Sequence, residues 1–262
     1  MQTDLGGKVV VISGAARGIG AATARAFGRE GSWVVIVDRD VQAGRMLERS
    51  LAKALFIEAD LGSETACASV VQTVLRQFKS VDVLVNNAGA NDGLTLEASP
   101  TAFLESVRKN LMHVYALTHF AREALANAKG AVVNISSKVA ETGQGGTSAY
   151  AAAKGAINAL TREWAVAFAP MGVRVNCVVP AECDTDQYQR WFAAQKDPAA
   201  ARTGIERLVP YGHRLTRPEE VADTVVFLSS NRASHITGEF IHVDGGYTHL
   251  DRASTGPQTK WS

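Results

Sequence analysis

Tyr150 and Lys154 stand one helical turn apart in the alanine-rich stretch "SAYAAAKGA", residues 148–156. On a helix that spacing puts both side chains on one face. A phenol titrates near pH 10, too high for proton transfer at neutral pH, but a neighbouring ammonium favours the phenolate and lowers that value. The pair can therefore act as an acid–base device if the rest of the chain supplies a reaction; alone, it is equally a surface pair on a good helix former.

A second concentration of chemistry lies near the start, in "VVVISGAARGIGAATARAF". Gly14, Gly18 and Gly20 separate an apolar run from a helical stretch. Glycines so placed permit a tight turn and close backbone approach to a pyrophosphate, and the helix N-terminus offers free N–H groups to the phosphates. Asp38 ends the next apolar run and can accept hydrogen bonds from both ribose hydroxyls of an adenosine while repelling a 2′-phosphate, which favours NAD. Arg17 and Arg39 pull the other way, since either guanidinium can pair with a 2′-phosphate and admit NADP. Asp60, ending the third run, is placed to meet the adenine.

These residues need a scaffold, and the apolar pattern supplies one. The runs at 8–13, 33–38, 54–59, 81–87, 130–136, 173–179 and 239–245 read as strands. Most are nearly continuous and β-branched, as expected when both sheet faces are covered. Helical stretches near 18–30, 41–52, 63–79, 100–127, 148–169 and 217–230 alternate with them. Such alternation predicts an α/β fold, one doubly wound seven-stranded parallel sheet with helices on both faces. The expected organisation is a single domain over 1–262, with a substrate lid at about 181–216, too long for an ordinary connection, and a tail at about 247–262.

Composition narrows the function classes. The chain of 262 residues is 46% hydrophobic with a formal net charge of +1, which leaves no basic footprint for nucleic acid. No window approaches the roughly 18 apolar residues of a membrane span. The opening "MQTDLGGKVV" lacks the pattern of a secretory signal, and Cys67, Cys177 and Cys183 are scattered without metal-ligand spacing. A cytoplasmic protein is expected.

Further motifs carry a resemblance. "NNAG" (86–89), Asn110 in "RKNLMHVY", "NISS" (134–137), "YAAAK" (150–154) and "VDGG" (243–246) accompany the glycine turn. Together, over about residues 6–250, the chain resembles a short-chain dehydrogenase/reductase. The resemblance implies hydride transfer between a substrate and a nicotinamide cofactor. It makes Tyr150 the general base for alcohol oxidation and the general acid for carbonyl reduction. Lys154 would lower the tyrosine pKa and hold the nicotinamide ribose, Ser137 would bond the reacting oxygen, and Asn110 would hold a water completing a proton relay. Ser13, Ile19, Leu61, Asn87, Ala88, Gly89 and Pro180 would line the cofactor groove, with Thr185 on the nicotinamide carboxamide. Two positions depart from the family pattern: Ser13 stands for a threonine, and Ala181 replaces a glycine in "PAECDT", which puts the local loop path in question.

The residues flanking these motifs are polar. Asn91, Asp92, Lys138, Gln144 and Glu182 would ring a small pocket, with Tyr188 and Trp191 of the lid supplying faces for an apolar sugar surface. "LTREWAVAFAP", "VPAECDT" and "VDGGYTHLDRA" further resemble sugar 1-dehydrogenases of the L-fucose dehydrogenase type. That implies oxidation of L-fucose or L-galactose at the anomeric carbon to the lactone, by a homotetramer. Two alternatives stay open: a keto acid or 3-oxoacyl thioester reductase with the same residues, and a non-catalytic dinucleotide sensor.

Overall fold

The computed structural model describes residues 3–249. Seven parallel strands form one sheet in the order β3-β2-β1-β4-β5-β6-β7. They are β1 (Val9–Ser13), β2 (Trp33–Asp38), β3 (Ala54–Glu58), β4 (Val83–Asn86), β5 (Ala131–Ile135), β6 (Arg174–Pro180) and β7 (Phe240–Val243). The unbroken apolar runs are explained by burial on both faces. Val10, Ile12, Val34 and Ile36 enter one core with α1 (Gly18–Arg29) and α8 (Pro218–Ser229). Their neighbours Val9, Val11, Val35 and Val37 enter the other, with α3 (Glu64–Phe78), α4 (Pro100–Ala128) and α5 (Ser148–Phe168). Alternate residues of a strand point to opposite faces, so both sets are apolar in β1 and β2, and the polar Asn134 and Asn176 inside β5 and β6 are buried with hydrogen-bond partners.

The strand order reverses between β1 and β4, which pair through Val10↔Val83 and its neighbours. Doubly wound sheets bind ligands at such a point, outside the carboxyl ends of the strands. α2 (Val41–Ser50) follows β2, capped by Asp40, whose carboxylate accepts the Ala43 N–H at 3.0 Å. The interruption at 181–216 carries two short helices, α6 (Asp186–Ala193) and α7 (Pro198–Glu206), capped by Thr185 and Asp197. The path after β6 is secured despite the alanine. Thr216 N–H donates to Glu182 O at 2.9 Å and Asp184 N–H to Thr216 O at 2.8 Å, tying the segment's two ends together. Ala181 needs no positive φ. Of the expected tail, 250–262 lies outside the described residues. No helix among the described residues is long and apolar enough to cross a membrane.

Candidate active site

The strand ends and their loops enclose a cavity of about 1080 Å³ along the carboxyl edge of the sheet. Its central part is the glycine turn after β1, packed backbone to backbone against "NNAG". Gly14 has φ +64, and a Cβ there would lie 2.8 Å from Ala88 Cα; at Gly20 it would lie 2.2 Å from Gly14 O. Asn87 Nδ2 donates to Ser13 O and Gly14 O, both at 2.9 Å. Ser13 differs from its expected role. It is fully buried and outside the cavity wall, and its hydroxyl accepts the Asn87 and Ala88 N–H groups at 3.0 and 3.1 Å. It shapes the groove from behind, which explains why serine serves as well as threonine.

The residues fit a dinucleotide. α1 begins at Gly18 without a side-chain cap, leaving its first-turn amides free for an anion. Ile19 and Gly89 line the cavity beside that turn, and a Cβ on Gly18 would lie 3.3 Å from Thr185 Cγ2, so the lid's first cap reaches the phosphate loop. Towards β2 and β3 the wall carries Asp38, Arg39, Asp60 and Leu61. Asp38 is anchored: Oδ2 accepts the Ala16 N–H at 2.9 Å and Oδ1 the Asp40 N–H at 3.0 Å. Arg17 is drawn to Asp40 at 2.8 Å and Asp186 at 3.6 Å. Arg39 is exposed and in no ion pair among the described residues, so it is the better placed of the two for a 2′-phosphate.

On the other side of the glycine turn, Tyr150 and Lys154 share a face of α5, and Ser137 follows β5. Lys154 is buried; its Nζ donates to Ile135 O at 2.7 Å and lies 5.5 Å from the Tyr150 ring centroid. Burial pushes its pKa down to about 8. Desolvation pushes the Tyr150 pKa up to about 12, and hydrogen bonding with Ser137 opposes it.

Asn110, on α4, accepts the Ala90 N–H at 2.9 Å and donates to Ser106 O at 3.0 Å. It meets Lys154 across Gly89, where a Cβ would lie 3.2 Å from Asn110 Oδ1 and 3.4 Å from Lys154 Nζ. Sequence reasoning missed His113, one turn beyond Asn110. It is buried with Nε2 3.0 Å from Ala88 O; burial and then the charge of Lys154 push its pKa down to about 4. Its place on the Asn110 face of α4 was the available signal.

The remaining wall carries Asn91, Asp92, Lys138, Gln144, Pro180, Glu182 and Tyr188, as expected. Lys138 and Glu182 are 4% and 5% exposed and form an ion pair, with Nζ also 3.8 Å from the Tyr247 ring centroid. Glu182 Oε2 is buried and accepts no hydrogen bond from any described residue. Burial, and then the neighbouring Glu182 carboxylate, push the Tyr188 pKa up. Trp191 is a correction. It is 47% exposed and off the cavity wall, its ring 5.3 Å from Phe192. The inner face of α6 runs through Tyr188 and Phe192, one turn apart, and this turns Trp191 outward.

A glycine turn on an uncapped helix, a tyrosine one turn from a buried lysine and a polar wall define a nicotinamide-dependent oxidoreductase. A family model described as enoyl-(acyl carrier protein) reductase matches residues 14–248. The L-fucose dehydrogenase of Oryctolagus cuniculus is 41% identical over 92% of this chain and 84% of its own length. The cis-4-hydroxycyclohexanecarboxylate dehydrogenase of Sinomonas cyclohexanicum is 39% identical over 92% and 96%. Among solved structures, Cj0485 dehydrogenase superposes with a TM-score of 0.93 at 39% identity, over 97% of this chain and 98% of that one. Thermoplasma acidophilum aldohexose dehydrogenase gives 0.87 at 31%, over 95% and 97%. The chain belongs to the short-chain dehydrogenase/reductase family and is an oxidoreductase.

Proposed function

We propose that this protein oxidises a small sugar of the L-fucose or L-galactose type at the anomeric carbon to the lactone, with NAD as the preferred hydride acceptor. The observation that carries the reading is Glu182 Oε2, a buried carboxylate oxygen of a cavity-lining residue that accepts no hydrogen bond from any described residue. A sugar hydroxyl satisfies it; an acyl chain leaves it desolvated and unpaired. The L-fucose and aldohexose dehydrogenases among its relatives support the same substrate class.

Gly14, Gly18, Gly20 and the uncapped start of α1 would hold a nicotinamide dinucleotide, which would supply the hydride acceptor. Ser137 hydrogen-bonds the anomeric hydroxyl and aims it at Tyr150. Tyr150 takes its proton as the C–H bond breaks, and Lys154, one turn along α5 with Nζ 5.5 Å from the Tyr150 ring centroid, offers positive charge to the phenolate. Asn110 and Lys154, meeting over Gly89, carry the proton on towards solvent. Asp38 selects NAD through the adenosine ribose, against Arg39.

Exposed Leu104, Met112 and Tyr115 on α4 and Val166 on α5 support a homotetramer assembled through these helices, and three free buried cysteines suit a cytoplasmic setting. The experiment is a turnover panel of L-fucose, L-galactose, keto acids and 3-oxoacyl thioesters with NAD and NADP. Sugar oxidation is expected. Reduction of a keto acid or thioester with no sugar oxidation overturns the reading, and cofactor binding with no turnover on any substrate indicates a sensor.

A further inference from the structure

The polar wall is built more elaborately than substrate contact alone requires. Lys138 follows β5, Glu182 follows β6 and Tyr247 follows β7, so three strand ends converge on one buried ammonium. The turn that delivers Tyr247 is itself fixed. The Asp244 carboxylate accepts the Gly246 and Thr248 N–H groups, both at 2.8 Å. Gly245 and Gly246 take φ +61 and +83, and a Cβ on Gly245 would lie 2.6 Å from Val209 Cγ1. Gly245 O accepts the Tyr211 N–H at 2.9 Å, linking this turn to the end of the lid segment.

A buried ion pair is a weak source of stability, because desolvating two charges costs about as much as their attraction returns. Its better-attested use is to fix geometry. Here the ammonium engages Glu182 Oε1 and the ring covers Nζ. That leaves Oε2 as the carboxylate's unpaired oxygen, buried on a residue that lines the cavity.

We infer that Lys138 and Tyr247 are positioning residues that hold Glu182 with Oε2 aimed at a second hydroxyl of the substrate, and that this clamp makes the enzyme selective for substrates hydroxylated beside the carbon being oxidised. The inference rests on the sugar reading above and deepens it. A site built around a buried acceptor rejects an analogue lacking the matching hydroxyl, because the acceptor is then left unpaired. Lys138 touches the substrate only through Glu182.

The test is a cycle between side chain and substrate hydroxyl. L-fucose and its 2-, 3- and 4-deoxy analogues are compared by kcat/KM in wild type, Glu182→Ala, Lys138→Met, Tyr247→Phe and Tyr247→Leu. Affinity for reduced cofactor, read by fluorescence, is the control for an intact site. In wild type, the 2-deoxy analogue should lose about tenfold or more, and a loss confined to the 3- or 4-deoxy analogue overturns the inference. That penalty should shrink to about threefold or less in Glu182→Ala and Lys138→Met, persist in Tyr247→Phe and weaken in Tyr247→Leu. A pair that merely tied β5 to β6 would lower activity on every substrate alike and leave the penalty at its wild-type size. That result overturns the inference while L-fucose oxidation by wild type leaves the sugar reading standing. Should Lys138→Met fail to fold, Tyr247→Leu, which keeps the ion pair, decides in the same way. If wild type oxidises no aldose, the sugar reading fails, and butane-2,3-diol against butan-2-ol makes the same comparison. A diol preference lost in the variants keeps the inference; an unchanged preference, or no diol turnover, ends it.

Discussion

On the proposed reading Asp38 is the residue on which the choice of cofactor turns, and its surroundings allow the effect of removing it to be sized. Its carboxylate already accepts two backbone N–H groups, from Ala16 and Asp40. A carboxylate has about four acceptor positions, so about two remain for a ribose diol at the cavity wall. A hydrogen bond to a charged group is worth about 1.5–3 kcal/mol, so Asp38→Ala should lower kcat/KM with NAD by about 10- to 100-fold. With NADP the same change removes a like charge facing the 2′-phosphate and leaves exposed Arg39 to pair with it, so efficiency should rise. Alanine also orphans the two N–H groups, which is a structural effect separate from selection. Asp38→Asn separates the two, keeping an oxygen for one N–H while discharging the site. If charge selects the cofactor, asparagine shifts the NAD/NADP ratio in the same direction as alanine, and less. Initial rates with both cofactors, alongside cofactor dissociation constants, measure this. A parallel fall with both cofactors, or a wild type that strongly prefers NADP, refutes the reasoning.

Tyr150→Phe removes only the hydroxyl, so turnover should fall about 100-fold or more while cofactor affinity and melting temperature hold; near-wild-type turnover in the folded variant would exclude Tyr150 from proton transfer. His113 has a native pKa of about 4 against an ordinary 6.5, so between those values the unfolded chain binds more protons and stability falls as pH drops. Urea unfolding should show a loss of about 2 kcal/mol from pH 7 to pH 5 that His113→Gln abolishes; an undiminished loss in the variant would assign it to another group. Glu182→Leu replaces the unpaired acceptor with an apolar wall, so sugar oxidation should fall by about tenfold or more while 3-oxoacyl thioester reduction stays level or rises. Loss of both activities in proportion would make Glu182 a purely structural residue.

Most of the fold was legible because a sheet covered on both faces writes itself as unbroken apolar runs. "VVVIS" and "WVVIVD" have no other ready explanation, and the glycines after the first could be placed at a helix N-terminus from the residues around them. What stayed hidden was set by partners distant in sequence. The i, i+4 spacing put Tyr150 and Lys154 on one face but did not show that the lysine is drawn to Ile135 O on β5, or that desolvation pushes the phenol's pKa up. Three rings on the short helix α6 look alike in sequence, and only the packing of Phe192 against the body of the protein decides that Trp191 faces outward. Lys138 and Glu182 were each recognisable as polar residues beside motifs. Their pairing depends on the β5–β6 register, in which Ile135 lies opposite Val178 and both chains leave the sheet within a few residues.

The strand order also explains why motifs scattered over the chain divide into two functions. The ends of β2 and β3 lie to one side of the switch point and bring Asp38 and Asp60; the ends of β5, β6 and β7 lie to the other and bring Ser137, Glu182 and Tyr247. The glycine turn of β1 and "NNAG" of β4 stand between them, where a pyrophosphate meets the N-terminus of α1. The adenosine end of a dinucleotide is thereby directed to the acidic strand ends and its reactive end to Tyr150. Adjacent strands are about 4.8 Å apart, so the ends of β5 to β7 span about 10 Å. A small polyhydroxylated substrate can touch all three at once. A long acyl chain entering the same space must pass the clamped carboxylate, burying Oε2 with no donor, at about 1–3 kcal/mol. The catalytic half of the edge is common to many chemistries; on the proposed reading, the three strand ends beyond it select for hydroxyl groups.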